Sequence, residues 1–106
     1  MEIQLTHNAT FYPNARKVVV NGSDIQLTKK ETGLLNFLYR NKNEVSSRSE
    51  VLTEIWGDNN YFNGRSMDVY VCRLRKILNA LNDIEIISVR GKGHKLIIAE
   101  SKEVWS

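Results

Sequence analysis

Between residues 65 and 81 the side chains sort with the period of an α-helix, and this stretch constrains the fold more than any other. At about 100° per residue, Met67, Val71, Leu74, Leu78 and Leu81 fall on one side, flanked by Tyr70 and Ile77. Arg65, Val69, Cys72, Arg73 and Lys76 gather on the opposite side, with Asp68 and Arg75 at its edges. A helix divided in this way needs a core to lie on, and it leaves a cationic side in solvent. Further along, Arg90-Gly91-Lys92-Gly93 reads as a tight basic reversal between two strands, residues 84–90 and 95–99.

The rest of the chain supplies that core. Ile3–Leu5, Thr10-Phe11-Tyr12, Lys17-Val18-Val19-Val20 and Ile25-Gln26-Leu27 read as four short antiparallel strands, with turns at Pro13-Asn14 and Asn21-Gly22. Asn-Gly tolerates the positive φ values of a type I′ turn. Thr28-Lys29-Lys30-Glu31 has the spacing of a capping box, in which hydroxyl and carboxylate each accept a backbone N–H. Leu34, Leu35 and Leu38 continue it as an apolar helix face that Asn41-Lys42-Asn43 ends. Ser47-Arg48-Ser49-Glu50 is a second capping box, ahead of Val51, Leu52, Ile55 and Trp56, with Gly57 placed as a stop. Residues 57–64 are loop-like in composition. The expected fold class is α+β: a four-stranded N-terminal antiparallel sheet, three helices, and a C-terminal β-hairpin over residues 84–99. One domain spans residues 1–100, and residues 101–106 form a polar tail in which Trp105 could dock.

Composition excludes several classes. The 106 residues suffice for one core, and 42% hydrophobic with 25% charged residues is ordinary for a globular protein. No apolar run approaches the roughly 20 residues that span a bilayer, and the N-terminus has no signal-peptide pattern, so a cytoplasmic location is expected. Cys72 is the sole cysteine and the two histidines are far apart, so neither a disulfide nor a metal centre is expected, and no cofactor. No nucleophile–base or carboxylate pair stands at a spacing that points to an enzyme. Net charge is +3, but it is not spread evenly. Arg65, Arg73, Arg75, Lys76, Arg90, Lys92 and Lys95 against Asp68, Asp83 and Glu85 give residues 65–98 a balance of +4.

A cationic helix face fits a DNA major groove, where Arg and Lys bridge phosphates and Arg can bond guanine O6 and N7 as a pair. Val69 and the Cys72 sulfur could touch a thymine methyl. In Ile87-Ser88-Val89-Arg90, alternation puts Ile87 and Val89 on one face and Ser88 and Arg90 on the other, which predicts that Arg90 projects outward. An Arg at a Gly-Lys-Gly turn suits a narrow minor groove. The same pattern also fits a helix face that meets only water, or a protein-interaction module whose basic face meets an acidic partner. Asp68 reads as a structural partner for a nearby Arg, and Trp56 as a core anchor.

In this order and spacing the motifs resemble a known family, the winged-helix effector domain of OmpR/PhoB-type response regulators. The resemblance rests on Leu27-Thr28-x-x-Glu31-x-x-Leu34-Leu35, on Ser47-Arg48-x-x-Val51-Leu52-x-x-Ile55-Trp56-Gly57, on Arg65-Ser66-Met67-Asp68-Val69-Tyr70-Val71-x-Arg73-Leu74-Arg75-Lys76, and on Val89-Arg90-Gly91-x-Gly93. It implies a winged helix-turn-helix with recognition helix 65–81 in the major groove and wing 84–99 in the minor groove. The implied DNA contacts are Trp56, Arg65, Ser66, Val69, Cys72, Arg73, Lys76, Arg90 and Lys92, with Arg73 reading bases and Arg90 in the wing. The implied polymerase-contact loop is Asp58, Asn59, Asn60, Tyr61 and Phe62. The implied partners are a direct-repeat double-stranded operator bound as a tandem dimer by a chain that is monomeric alone, RNA polymerase, and the receiver domain and sensor kinase of a two-component system. Two positions depart from the family pattern: Cys72 stands where many members carry Arg, and His94 where an aromatic such as Tyr is usual.

Overall fold

The computed structural model describes residues 2–57 and 61–99, with backbone alone for residues 61–63. Asp58, Asn59 and Asn60 of the implied polymerase-contact loop and the tail with Trp105 lie outside the described residues. The N-terminal strands are β1 (Ile3–Thr6), β2 (Ala9–Tyr12), β3 (Lys17–Val20) and β4 (Ser23–Gln26), antiparallel in the order β1-β2-β3-β4. Asn21 and Gly22 have φ of 51° and 85°, the positive values that a type I′ turn requires, and Val20 pairs with Ser23 across them. Alternation then does the sorting: Ala9 and Phe11 on β2 and Val18 and Val20 on β3 are buried, and their neighbours along each strand are not.

Both capping boxes form. Thr28 opens α1 (Lys29–Arg40) and Ser47 opens α2 (Arg48–Val51), each with side chain and backbone bonded in both directions. The sequence predicts a regular helix from there to Trp56; instead α2 widens into a π-helical stretch over Leu52–Trp56, stopped by Gly57 at φ 91°. The widening accompanies the packing of Ile55 against Gly33 of α1 and of Trp56 against Tyr70.

The third helix, α3 (Tyr61–Leu78), starts four residues before the expected Arg65 and ends before Leu81. Residues 61–64 are therefore helical, contrary to their loop-like composition. Glycine inside a helix costs about 1 kcal/mol relative to Ala, and at Gly64 a guanidinium packs close against the helix. The Arg48 guanidinium reaches the Gly64 carbonyl at 3.3 Å, and a Cβ on Gly64 would lie 2.9 Å from Arg48 Nη2. Met67, Val71, Leu74 and Leu78 are buried in a single apolar cluster with Phe11, Leu34, Leu35, Leu38 and Leu96. Leu81, in the turn after α3, is buried there too.

The hairpin consists of β6 (Ile84–Val89) and β7 (Gly93–Ile98). It carries a third strand that the sequence did not suggest: β5 (Ser46–Ser47) pairs with β7, giving the order β5-β7-β6. Gly93 is thus not part of the turn. It is the first residue of the central strand, between Val89 and Ser47, and a Cβ there would lie 1.9 Å from the Ser46 carbonyl oxygen. The facing of β6 also differs from expectation. Ile84 and Ile86 are the buried residues, on the parity shared by Ser88 and Arg90, while Ile87 and Val89 are half-buried. Arg90 is exposed because it lies in the turn beyond the core, not because of strand alternation. Among the described residues no helix is long and apolar enough to cross a membrane.

Gly93→Ala should cost about 3 kcal/mol in a urea titration, because the neighbour is backbone and cannot swing aside. The amides that pair β5 with β7 should lose hydrogen-exchange protection first.

Candidate nucleic-acid interface

Burial of one stripe of α3 presents the other. Arg65, Asp68, Val69, Cys72, Arg73 and Lys76 are all exposed, and Val69 keeps 67% of its surface in solvent. This face forms the wall of an open groove of about 1110 Å³, lined from Gly64 to Lys76 of α3 and by Arg48 and Leu52. Four cations, Arg48, Arg65, Arg73 and Lys76, line it against one carboxylate, Asp68. Close to the surface such an excess of one sign focuses a positive potential in the concavity.

Several of these side chains are already held in place. Arg48 Nη1 pairs with Asp68 Oδ1 at 2.7 Å, which gives Asp68 the structural role its sequence position suggests. Arg73 Nε lies 3.1 Å from Glu31 Oε2, and Arg73 Nη2 donates to the Gln26 carbonyl at 3.4 Å. Trp56 donates its indole N–H to Ser66 Oγ at 3.3 Å. Its ring is half-buried beside Tyr70, and Lys30 Nζ sits 5.3 Å from its centre. Trp56 is therefore a packing anchor whose single donor is occupied by another predicted site residue. Arg90 and Lys92 are exposed in the hairpin turn. For Tyr61 and Phe62 the backbone is helical.

The hairpin is tied to α3 by a residue that sequence reasoning placed only at the edge of the basic face. Arg75 Nε donates to the Ile86 carbonyl at 3.0 Å and Nη2 to Ser88 Oγ at 3.1 Å. Ser88 Oγ in turn meets His94 Nδ1 at 3.1 Å. Arg48 was likewise missed, since its sequence signal is that of a capping box and its partner is 20 residues away. His94, in the position where the resemblance expects an aromatic, is 6% exposed, and its Nε2 has no partner among the described residues. Burial is the main force holding its pKa below the usual 6.5, reinforced by Arg48 and Arg75 and opposed by Asp68. Cys72 is an exposed free thiol. Among the described residues no group of His, Cys, Asp and Glu side chains could hold a metal ion.

Residues 22–96 match the family model described as "Transcriptional regulatory protein, C terminal". The chain belongs to this family. The OmpR/PhoB-type resemblance read from the sequence thus holds, and the domain is a winged-helix effector unit of transcriptional regulators. Transcriptional regulatory protein RprY of Bacteroides fragilis is 45% identical over 86% of this chain and 39% of its own length. Response regulator ArlR of Staphylococcus aureus is 43% identical over 80% of this chain, again 39% of its own length. The chain thus spans well under half of the curated relatives it matches. Among solved structures, the RstA DNA-binding domain of Klebsiella pneumoniae in complex with RstA box superposes with a TM-score of 0.73 at 28% identity, covering 92% of this chain and 96% of that one.

Burial of His94 makes the stability of this effector domain depend on pH. The folded pKa of His94 lies below 6.5, so the unfolded chain takes up a proton first as pH falls. Stability should be full above about pH 6.5 and decline as pH drops through that value towards the lower folded pKa. Urea midpoints between pH 7.5 and 5 should show this decline, and His94→Gln should flatten it.

Proposed function

We propose that the chain is the sequence-specific, double-stranded-DNA-binding effector domain of a two-component response regulator. In this reading α3 lies in the major groove and the β6–β7 turn in an adjacent minor groove. The observation that carries it is the cationic groove along the exposed face of α3, open to solvent and backed by a fully packed core. Arg65, Lys76 and Arg48 would meet phosphates, with Ser66 and Trp56 at the same backbone. Val69 and Cys72 would lie against base edges, Arg73 would read a base, and Arg90 and Lys92 would enter the minor groove. Relatives described as response regulators and a neighbour solved in complex with its box support this reading.

The proposal extends to partners. The family reading supplies a receiver domain and sensor kinase, a direct-repeat operator bound as a tandem dimer by a chain that is monomeric alone, and RNA polymerase at residues 58–62. Such a regulator works in the cytoplasm.

Selection of bound duplexes from a random oligonucleotide pool tests the reading. The enriched sites should carry a repeated element spaced near one helical turn. If five or six phosphates are met, the logarithm of the binding constant should fall with log salt at a slope near −5. Arg73→Ala should lose about 1–3 kcal/mol on the selected site and relax one base preference. Equal binding to scrambled duplexes would refute base reading, and no DNA binding at low salt would favour the protein-interaction alternative.

A further inference from the structure

Glu31 is 1% exposed although it belongs to the first turn of a helix, where capping carboxylates ordinarily meet water. Its Oε1 accepts the Thr28 backbone N–H at 2.8 Å, and Thr28 Oγ1 accepts the Glu31 N–H at 3.1 Å. That box fixes the carboxylate rigidly. Its other oxygen, Oε2, makes no hydrogen bond of good geometry and faces the Arg73 Nε at 3.1 Å. A buried charge with one oxygen reserved for a side chain from another element has a role beyond capping.

The guanidinium carries five donors in a planar fork: one on Nε and two on each Nη. Nε faces Glu31 and one Nη2 hydrogen faces the Gln26 carbonyl, 3.4 Å away. The side edge of the fork is therefore turned toward the protein, by one hydrogen bond to Gln26 and by the Glu31 charge. The end edge, an Nη1 hydrogen and the second Nη2 hydrogen, is left among the described residues, and 51% of the side chain remains in solvent on the groove wall.

We propose that Glu31 is a positioning residue for DNA reading, which holds Arg73 so that the end edge of its guanidinium meets the O6 and N7 of a guanine. This rests on the reading that α3 enters the major groove. An untethered Arg could offer either edge and sweep many rotamers; the tether removes one edge and most of the sweep before DNA arrives. The carboxylate also offsets the Arg73 charge, so this side chain contributes base preference rather than indiscriminate phosphate attraction. Loss of the carboxylate therefore raises affinity for unrelated DNA while lowering discrimination, which a mere capping role would not do.

The test uses the full chain as wild type, Glu31→Gln, Arg73→Ala and the double variant. Glutamine retains an oxygen for the Thr28 N–H, loses the charge and sets an amide NH2 against the Arg73 donors, so the hold on Arg73 goes while the cap stays. Each is titrated with the duplex most enriched by the wild type from a random pool, with all its single-base variants, and with an unrelated duplex. Glu31→Gln should lose about 10-fold in discrimination at one G·C pair, the pair at which Arg73→Ala also loses it, with no further loss in the double variant. Binding of Glu31→Gln to the unrelated duplex should be tighter than wild type. Wild-type discrimination in Glu31→Gln, with that of Arg73→Ala lost, overturns the positioning role and leaves α3 as the reader. Wild-type discrimination in Arg73→Ala overturns both. If Glu31→Gln does not fold, the Arg73 Nε–H resonance of the wild type decides. A resolved signal unchanged by the selected duplex supports the tether, and its loss on binding overturns it.

Discussion

The packing of α3 against the core governs everything else in this molecule. Met67, Val71, Leu74 and Leu78 are all but inaccessible to water, and each contributes on the order of 1.5–3 kcal/mol by leaving it. A helix has one rotation about its axis that buries such a stripe, and at 3.6 residues per turn that rotation sends Arg65, Val69, Cys72, Arg73 and Lys76 outward. The cationic face is therefore as stable as the core beneath it. Rotating the helix enough to hide these charges would expose the leucines, at a cost comparable with the whole stability of a domain this size.

On that platform the exposed cations are not loose. Arg48 is set by Asp68 and the Gly64 carbonyl, Arg73 by Glu31 and the Gln26 carbonyl, and Arg75 by the Ile86 carbonyl and Ser88. Each tether joins two elements: α2 to α3, the β4–α1 junction to α3, and α3 to the hairpin. The exposed Arg48–Asp68 pair contributes little to stability, and what these tethers share is that they set geometry. They restrict rotamers that binding would otherwise have to freeze, and they fix the angle between hairpin and helix before a partner arrives. Gly93 belongs to the same design, since the β5 backbone comes too close there for a side chain.

What could be read from the sequence was local or periodic. The Asn21-Gly22 turn, the capping boxes at Thr28 and Ser47 and the apolar stripe of α3 each depend on residues within a few positions of one another, and all are present. What could not be read depends on contacts across the chain. The helical start at Tyr61 hides behind a glycine whose carbonyl Arg48 bonds, and β5 is two serines that become a strand because Gly93 lets them approach. On β6 the buried pair is Ile84 and Ile86, and the strand then runs out past the core, so that Ile87 and Val89 are only half-buried while Ser88 and Arg90 are exposed. The exposure of the predicted contact residues on α3 was legible; the hold of Glu31 on Arg73 was not, since a Thr-x-x-Glu motif looks complete without a third member.

The family assignment and the packing together make a single central claim, that the polar face of α3 and the hairpin turn form one DNA-reading surface. Amide shift mapping of the labelled chain, titrated with its selected duplex, tests this most directly. Perturbations should concentrate at residues 64–76 and 89–93, with the outer face of β1–β4 silent. Perturbations centred on the N-terminal sheet or on the far side of α1, with α3 unmoved, would contradict it.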